Sequence, residues 1–243
     1  MKLTVMTYNV HSCIGRDGRV NPVRIVKVIE QHNADIVAFQ ELDSGLVRTG
    51  LVEQTKLLAD MLEMNHHFHP SINIEAGQYG NAVLSPHSMK LFHAGELPTL
   101  AKKRIKEKRG AIWLKLDIDG SEIEVFDTHL GLNRHERLAQ ATALTGPQWL
   151  KHPECRGPVI FCGDLNATKW SEVYRMFARS FVDVRSGSTW PSWFPFIRLD
   201  YIFISPDIEV RNSTVLKDDL TRKASDHLPV LATLEVPSKK ERQ

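Results

Sequence analysis

The 243-residue chain is 42% hydrophobic and 25% charged, with a formal net charge of +2, which is a globular composition with a sizeable core. The near-neutral charge excludes a strong overall field for nucleic acids or membrane surfaces, and the three cysteines lack the spacing of a disulfide framework or zinc site. The N-terminus becomes polar too early for a signal peptide, and no apolar run approaches the ~20 residues of a membrane span. We expect a cytoplasmic protein without a transmembrane segment, and we expect it to be a monomer.

Hydrophobic periodicity and turn residues predict strands alternating with helices along the whole chain. The predicted elements, in chain order, are strand 3–8, a helix from Asn21-Pro22, strand 35–40, helix 51–62, strand 79–85, a hairpin of strands 111–118 and 123–128, helix 134–150, strand 158–162, helix 171–177, and strands 199–205 and 228–234. No low-complexity linker divides the chain. We therefore predict one domain over residues 1–236, with packed sheets, outer helices and a frayed tail over 237–243.

A strand–helix–strand pattern ending in polar residues occurs twice. In the first half the two strands end in Asn9 and Glu41, and in the second half they end in His129 and Asp164, with Asn166 two residues further on. If the two units pack against each other, these side chains meet at one rim, where sites of layered α/β proteins form.

Polar residues at the ends of predicted strands form a set that favours one kind of chemistry. The set is Asn9, Glu41, His129, Asp164, Asn166, Asp200, Asp226 and His227. Carboxylate and amide oxygens suit a hard cation such as Mg²⁺, and histidines beside carboxylates donate to anionic oxygens or move protons. No serine or cysteine nucleophile stands out. The set indicates hydrolysis of a phosphate ester by an activated water.

Each of these residues also has a structural interpretation. Asn9 is a candidate turn cap, His129 a candidate core histidine, and Asp164 with Asn166 a candidate Asx turn. The functional interpretation is favoured because all members of the set lie at strand ends beside apolar residues.

Seven short motifs resemble the endonuclease/exonuclease/phosphatase superfamily, in the order in which that family carries them. They are TYNVH, QELD, YGNAVLS, THLG, GDLNA, RLDYIF and SDHLPV, and they span residues 3 to 235. Each motif alone is weakly specific, whereas seven in order are highly specific. The resemblance implies an α/β fold, namely a four-layer α/β/β/α sandwich with two central mixed β-sheets and a site at one rim.

The resemblance also implies a metal centre and a phosphate-binding site. Glu41 matches the principal Mg²⁺ ligand, with Asn9 on the metal side and Asp226 near it, and Mn²⁺ is an alternative ion. Asn81, in the YGNAVLS motif, matches a substrate-binding asparagine.

The remaining motif residues match catalytic positions of the same family. His227 matches the histidine that contacts the scissile phosphate, and Asp200 matches the carboxylate that orients it. Asp164 matches the residue proposed to activate water, Asn166 would position the phosphate, and His129 would donate to it. The role of general base stays divided between Asp164 and His227.

The predicted function is that of a Mg²⁺-dependent phosphodiesterase. His129 argues against the abasic-site endonuclease branch, where tyrosine is usual, and nucleic acid ranks first among the substrates. The alternatives are a sphingomyelinase-like phosphodiesterase acting on phospholipid head groups, a sugar or inositol phosphatase, and a non-catalytic phosphate-binding module. The last would have lost site residues, and none is missing.

Four other stretches of the sequence have mainly structural interpretations. The basic run 101–110 is predicted to be a solvated loop, with contact to nucleic-acid phosphates as the alternative. The histidine-rich stretch 66–69 is predicted to be a surface loop, and the DIDG sequence at 117–120 a hairpin turn rather than a calcium loop. The aromatic stretch 189–196 is either a proline-stiffened loop packed on the body or a platform for a base, a lipid or a ring.

Overall fold

The computed structural model describes residues 1–74, 76–99 and 108–237. Within these residues twelve strands and five α-helices alternate. The strands are β1 (Lys2–Asn9), β2 (Ile36–Ser44), β3 (Asn65–Ile74), β4 (Gly77–Ser85), β5 (Ser88–Glu96), β6 (Gly110–Ile118), β7 (Ser121–His129), β8 (Val159–Asp164), β9 (Val182–Asp183), β10 (Asp200–Ile204), β11 (Glu209–Val215) and β12 (Val230–Glu235). The helices are α1 (Pro22–Glu30), α2 (Gln54–Leu62), α3 (Arg134–Leu144), α4 (Glu172–Ala178) and α5 (Asp219–Ala224).

The described strands form two six-stranded mixed sheets with the same internal plan. One sheet has the order β11-β12-β1-β2-β4-β3 and the other β5-β6-β7-β8-β10-β9. In each, a parallel pair lies at the centre, β1 with β2 and β7 with β8, and antiparallel strands flank it. Helices α1 and α3 make the crossovers, as parallel neighbours require. The predicted pair of strand–helix–strand units is therefore present.

Three buried clusters show that the molecule has four layers. An aliphatic cluster between the sheets takes alternate residues of their inner faces, such as Val5, Val125 and Ile160. A second cluster packs the outer face of the first sheet against α1 and α2, and a third packs the outer face of the other sheet against α3 and α4. Alternation with period two sends successive side chains to opposite faces, so each sheet is apolar on both sides. The predicted α/β/β/α sandwich is confirmed.

Several predicted boundaries were wrong, and strands at sheet edges were missed. Helix α3 ends at Leu144 rather than residue 150, because Gly146 and Pro147 follow and do not continue a helix. The stretch 66–69 is not a loop but part of β3, an edge strand with polar residues in place of the usual β-branched ones. Strands β5, β9 and β11 also pair at or near the sheet edges, where one face is solvated and the hydrophobic signal is weak.

One further prediction is confirmed, and two others concern residues that the structure does not describe. The DIDG stretch is the predicted tight turn, with left-handed Asp119 and Gly120 between β6 and β7. Most of the basic run (101–107) and all but the first residue of the predicted tail lie outside the described residues. Among the described residues, no helix has the length and apolar character needed to span a bilayer.

Candidate active site

The predicted site residues meet at one rim, where β1, β7 and β8 end; β2 continues past Glu41 to Ser44, so the predicted strand end at Glu41 was wrong. β1 and β2 bring Asn9 and Glu41 from one sheet, and β7 and β8 bring His129 and Asp164 from the other. The side-chain Nδ2 of Asn9 donates to Glu41 Oε1 at 2.9 Å within its own sheet and to Asp164 Oδ2 at 3.1 Å in the other sheet. The amide of Asn9 therefore bridges two carboxylates that the sequence separates widely.

The Asp164 carboxylate is the centre of this arrangement. Besides Asn9, its Oδ2 lies 3.5 Å from His129 Nε2 and 3.7 Å from His227 Nε2, and its Oδ1 accepts the backbone N–H of Asn166 at 2.8 Å. Burial, followed by the neighbouring charge of Asp200, raises the pKa of Asp164 to about 7. A buried carboxylate with a raised pKa, surrounded by donors, has the character of a group that exchanges a proton near neutral pH.

His227 and Asp200 form a buried hydrogen-bonded pair. The ring Nδ1 of His227 lies 2.9 Å from Asp200 Oδ2, so the carboxylate accepts its N–H and Nε2 is directed at the site. Burial lowers the pKa of His227, but the charges of Asp200 and Asp164 outweigh it and raise the pKa to about 10. The imidazole therefore retains its proton at neutral pH and is a cationic donor.

His129 has the opposite protonation behaviour because of its burial and of the charge of Arg109, a residue that the sequence interpretation missed. A guanidinium nitrogen of Arg109 lies 3.0 Å from His129 Nδ1, and since arginine only donates, Nδ1 accepts and Nε2 carries the ring proton; the Asn166 amide nitrogen near Nε2 is then a second donor and makes no hydrogen bond to the ring. Burial, together with the charge of Arg109, lowers the pKa of His129 well below its usual value. His129 is therefore a neutral donor, with Nε2 on the Asp164 side.

Arg109 was overlooked because it belongs to the basic run interpreted as a surface loop. Its side chain is 4% exposed, although the neighbouring Lys108 is exposed and paired with Glu96. The only local signal is its position directly before Gly110, at the start of β6, next to the strand that ends in His129. A charged residue at the start of a strand beside a site is a candidate for a side chain that points into that site.

A β-bulge determines the direction of Glu41. The register of β2 on β4 shifts between Phe39 and Leu42, and Glu41 adopts a left-handed backbone conformation with φ of 64°. Bulges redirect side chains at sheet rims. Glu41 thereby reaches an open cavity of about 400 Å³, which Asp226, His11 and Arg48 also line.

The environment of Glu41 leaves its charge incompletely compensated within the protein. Burial raises its pKa, Asn9 lowers it by hydrogen bonding, and the nearby charge of Asp226 raises it again. Two carboxylates that face the same cavity and repel each other are a favourable site for a cation.

Asn166 and Asn81 complete the polar rim. Asn166 is left-handed, with φ of 47°, and its Nδ2 donates to the Leu130 carbonyl at 2.9 Å and lies 3.0 Å from His129 Nε2. Asn81 is buried on β4 opposite the bulge that carries Glu41, and its Nδ2 has no hydrogen-bond partner within the described part of the chain. A buried amide without an acceptor there is suited to a phosphate oxygen.

The loop that carries Asp226 and His227 is tied to two other segments. Ser225 Oγ donates to the Asn9 carbonyl at 2.8 Å, which connects the loop to the end of β1. The backbone N–H of Leu228 donates to the Thr189 carbonyl, and that of Ser192 to the Asp226 carbonyl. The backbone of the aromatic stretch 189–196 is therefore packed on the site loop.

A second polar layer, also missed from the sequence, lies beneath the rim between the sheets. Gln40 Nε2 donates to Asp127 Oδ1 at 2.6 Å and to Thr7 Oγ1 at 3.1 Å, and all three residues are fully buried. Thr7 and Asp127 precede Asn9 and His129 by two residues, so they share the inner face of the same strands. This network links the two sheets directly below the site.

Two groups of residues offer ligands for a metal ion. The oxygen and nitrogen atoms of Asp164, Asp200 and His227 lie within 4.8 Å of one another, but His227 Nδ1 is already hydrogen-bonded to Asp200. Glu41 and Asp226 instead combine carboxylate oxygens with an open cavity. The donor set of the second group fits a hard divalent cation that keeps several waters.

Comparisons with known proteins identify a family and a fold. A profile of the Endonuclease/Exonuclease/phosphatase family matches residues 6–227. A comparison with curated protein sequences gives no match.

Solved structures with the same fold cover almost the whole chain. The endonuclease/exonuclease/phosphatase from Bacteroides vulgatus is 20% identical with a TM-score of 0.78, and the match covers 98% of this chain and 100% of that one. A mannosyl-6-phosphatase from Bacteroides thetaiotaomicron is 21% identical with a TM-score of 0.77, covering 96% and 99%. The human Nocturnin catalytic domain with bound sulfate is 21% identical with a TM-score of 0.73, covering 97% and 94%. At these identities the likeness shows the fold alone.

Proposed function

Because the chain belongs to the endonuclease/exonuclease/phosphatase family, whose members are hydrolases acting on phosphate esters, we propose that it is a divalent-metal-dependent phosphodiesterase. The family match bears out the resemblance that the seven sequence motifs indicated. The reaction would be direct attack of water on phosphorus, without a covalent enzyme intermediate.

The observation that carries the proposal is the set of donors around Asp164. Its Oδ2 lies within 3.7 Å of donors on Asn9, His129 and His227, which come from three distant parts of the chain. A carboxylate surrounded by a cationic and a neutral imidazole is suited to accept a proton while phosphate charge is stabilised beside it. Structural roles alone do not explain why all these groups are buried together.

We assign the metal to Glu41 and Asp226, with Asn9 holding Glu41 in place. Glu41 is the principal candidate ligand because the bulge directs it at the cavity that Asp226 also lines. Mg²⁺ is the expected ion and Mn²⁺ the alternative, since both take oxygen ligands. Bound there, such an ion would neutralise charge that develops on the phosphate oxygens.

The protonation states divide the acid–base roles. His227 retains its proton because Asp200 and Asp164 raise its pKa, so we assign it as a donor to the scissile phosphate or the leaving oxygen. Asp164 is then the group that accepts the proton of the attacking water, and Asp200 keeps the ring of His227 in orientation.

The other polar residues would bind the phosphate. We propose that His129, neutral and protonated on Nε2, donates to a phosphate oxygen, and that Asn166 and Asn81 supply amide contacts on either side. Nucleic acid is the first substrate class to test, followed by phospholipid head groups and then sugar or inositol phosphates.

The test is hydrolysis of bis(p-nitrophenyl) phosphate beside p-nitrophenyl phosphate, with Mg²⁺, with Mn²⁺ and with EDTA. We expect metal-dependent cleavage of the diester, faster than that of the monoester, and a loss of ~10²- to 10⁴-fold in Asp164→Asn. Asp207→Asn is the matched control, because Asp207 is an exposed carboxylate in the turn after β10.

Three other outcomes would change the assignment. Faster monoester cleavage would move the function towards a sugar or inositol phosphatase. Cleavage that survives EDTA would contradict metal dependence. Activity of Asp164→Asn equal to that of Asp207→Asn would remove Asp164 from the reaction.

A further inference from the structure

Trp170, four residues beyond Asn166, is an exposed aromatic side chain beside the candidate active site. Its side chain is 76% exposed, the highest value among the large hydrophobic residues of the described chain. Lys169 Nζ lies 4.8 Å from the centre of its ring, which is a cation–π contact. An exposed tryptophan at this position requires an explanation, because its burial elsewhere would contribute favourable free energy.

A large cavity lies on one side of Trp170. It has a volume of about 650 Å³, and Phe196, which is 60% exposed, lines it together with Trp170. Lys169 and Arg185 supply positive charge at its edge. Its floor is neutral, because Arg198 is paired with Asp183, to which Tyr174 also donates. The volume is within the range of small-molecule sites.

A smaller cavity of about 260 Å³ lies on the other side of Trp170, between α3 and α4. Arg134, Arg137 and Arg175 line it. Neither Arg134 nor Arg175 has a carboxylate within ion-pair distance among the residues the structure describes. Glu172, an exposed carboxylate, also lines the cavity, and Arg137 donates to the Gly131 and Leu132 carbonyls, so Arg134 and Arg175 are the guanidinium groups offered to anionic oxygens there.

Both cavities are lined by residues close in the chain to the proposed reaction centre, although no residue of that centre lines either of them. The larger cavity is lined by residues that follow Asn166 and by residues that precede Asp200. Strands β8 and β10 are paired, and Asp164 on β8 lies opposite Asp200 on β10. The smaller cavity includes Arg137. Burial lowers the pKa of Arg137, and the charge of Asp164 opposes this lowering. A ligand that extends from Asp164 along the segment after Asn166 would meet Trp170.

We propose that Trp170 is a base-stacking platform, and that the two cavities bind the nucleoside and the adjoining phosphate of a nucleotide substrate. This inference rests on the proposed phosphodiesterase function and names its substrate class. The aromatic ring, together with Phe196, would hold a nucleobase, and the arginines of the smaller cavity would hold a neighbouring phosphate.

The charges favour a nucleotide over a phospholipid. Lys169 lies over one face of Trp170 and, with Arg185, would repel the cationic amine of a choline or ethanolamine head group, whereas a nucleotide presents a neutral ring and anionic oxygens. A sugar phosphate would use the cations but would leave the two exposed aromatic faces with less contact.

The test compares two esters that release the same p-nitrophenolate, the p-nitrophenyl ester of thymidine 5′-monophosphate and methyl p-nitrophenyl phosphate. We expect the wild type to favour the nucleoside ester in kcat/KM, and Trp170→Ala to reduce that preference about tenfold with the methyl ester unchanged. Trp170→Phe should retain most of it. Trp193→Ala is the matched control, since Trp193 is an exposed tryptophan of the nearby loop that lines neither cavity.

A binding measurement separates this inference from the proposed function. Calorimetric titration of the wild type in EDTA should show thymidine 5′-monophosphate binding more tightly than ribose 5-phosphate, with the difference lost in Trp170→Ala. If no ester is hydrolysed but this difference is found, the proposed function fails and the nucleotide site stands.

Three outcomes would overturn the nucleotide site. The first is equal affinity for the two ligands, which would indicate a sugar phosphate or a general anion. The second is an equal effect of Trp170→Ala and Trp193→Ala on both esters. The third is cleavage of phosphatidylcholine vesicles that Trp193→Ala abolishes, which would replace the nucleotide by a lipid surface.

Discussion

The two parallel strand pairs of the molecule have the same topology but hold their carboxylates in different ways. In β7–α3–β8, Asp164 lies in regular register opposite His129, is 1% exposed and accepts several hydrogen bonds. In β1–α1–β2, a bulge gives Glu41 a left-handed backbone, and its side chain keeps 20% exposure towards an open cavity. A carboxylate surrounded by donors is suited to proton transfer, and one that faces an open cavity beside another carboxylate is suited to a cation.

The largest expected effect separates the two carboxylates by their response to metal. Asp164→Asn and Glu41→Gln should both lower kcat/KM for bis(p-nitrophenyl) phosphate, the former by ~10²- to 10⁴-fold because a proton acceptor is removed. Raising Mn²⁺ from micromolar to millimolar should recover activity in Glu41→Gln and not in Asp164→Asn. Equal recovery in both variants would contradict the division of roles.

The second effect is on thermal stability. A divalent ion that binds only the folded state at 100 times its Kd adds ~2.7 kcal/mol, or ~5–10 °C in Tm for a chain of this size. Differential scanning fluorimetry with Mg²⁺ should show this shift in the wild type and in Asp164→Asn, but not in Glu41→Gln. A shift that is lost in Asp164→Asn instead would place the ion at the group of Asp164, Asp200 and His227.

The third effect concerns the imidazole of His129, at the end of β7. Arg109→Met removes the donor that keeps His129 protonated on Nε2, and we expect kcat/KM to fall about tenfold, or ~1.4 kcal/mol. Nitrogen-15 NMR of the histidine rings should show the Nε2–H tautomer of His129 lost, while His227 remains protonated on both nitrogens. Arg211→Met, which changes an exposed surface arginine, is the control. An unchanged His129 tautomer in Arg109→Met would remove this role from Arg109.

The smallest effect tests the backbone strain at the bulge. An L-residue in the left-handed region costs ~1–2 kcal/mol, so Glu41→Gly should have a larger free energy of unfolding than Glu41→Ala by ~1 kcal/mol. At Lys90, an exposed position of β5 that pairs with Lys115 before the register shift of that strand and has no left-handed backbone, the order should reverse, with glycine less stable by ~0.5–1 kcal/mol. Urea denaturation in EDTA measures both pairs, and the same order at both positions would show that Glu41 is not strained.

The long buried strands and the polar residues at their ends were predictable from the sequence. Apolar runs such as 35–40 and 158–162 can only be buried, so the sheets and the positions of Glu41 and Asp164 follow from local pattern. Edge strands such as β3 were not predictable, because partial solvation weakens the alternation that identifies a strand. The end of α3 was misjudged because apolar residues beyond Gly146 continue a helical spacing that the backbone does not follow.

The sequence by itself determined the fold class, the family and the residue types that gather at the rim, since periodicity and ordered motifs are local properties. Only the tertiary structure decided which groups share protons and which face a cavity. Asn9 and Asp164 are 155 residues apart, so their contact has no local signal, and the contact of Arg109 with His129 is signalled only by the position of Arg109 at the start of β6. The bulge at Glu41 likewise depends on the register of β2 against β4, which packing of the whole sheet selects.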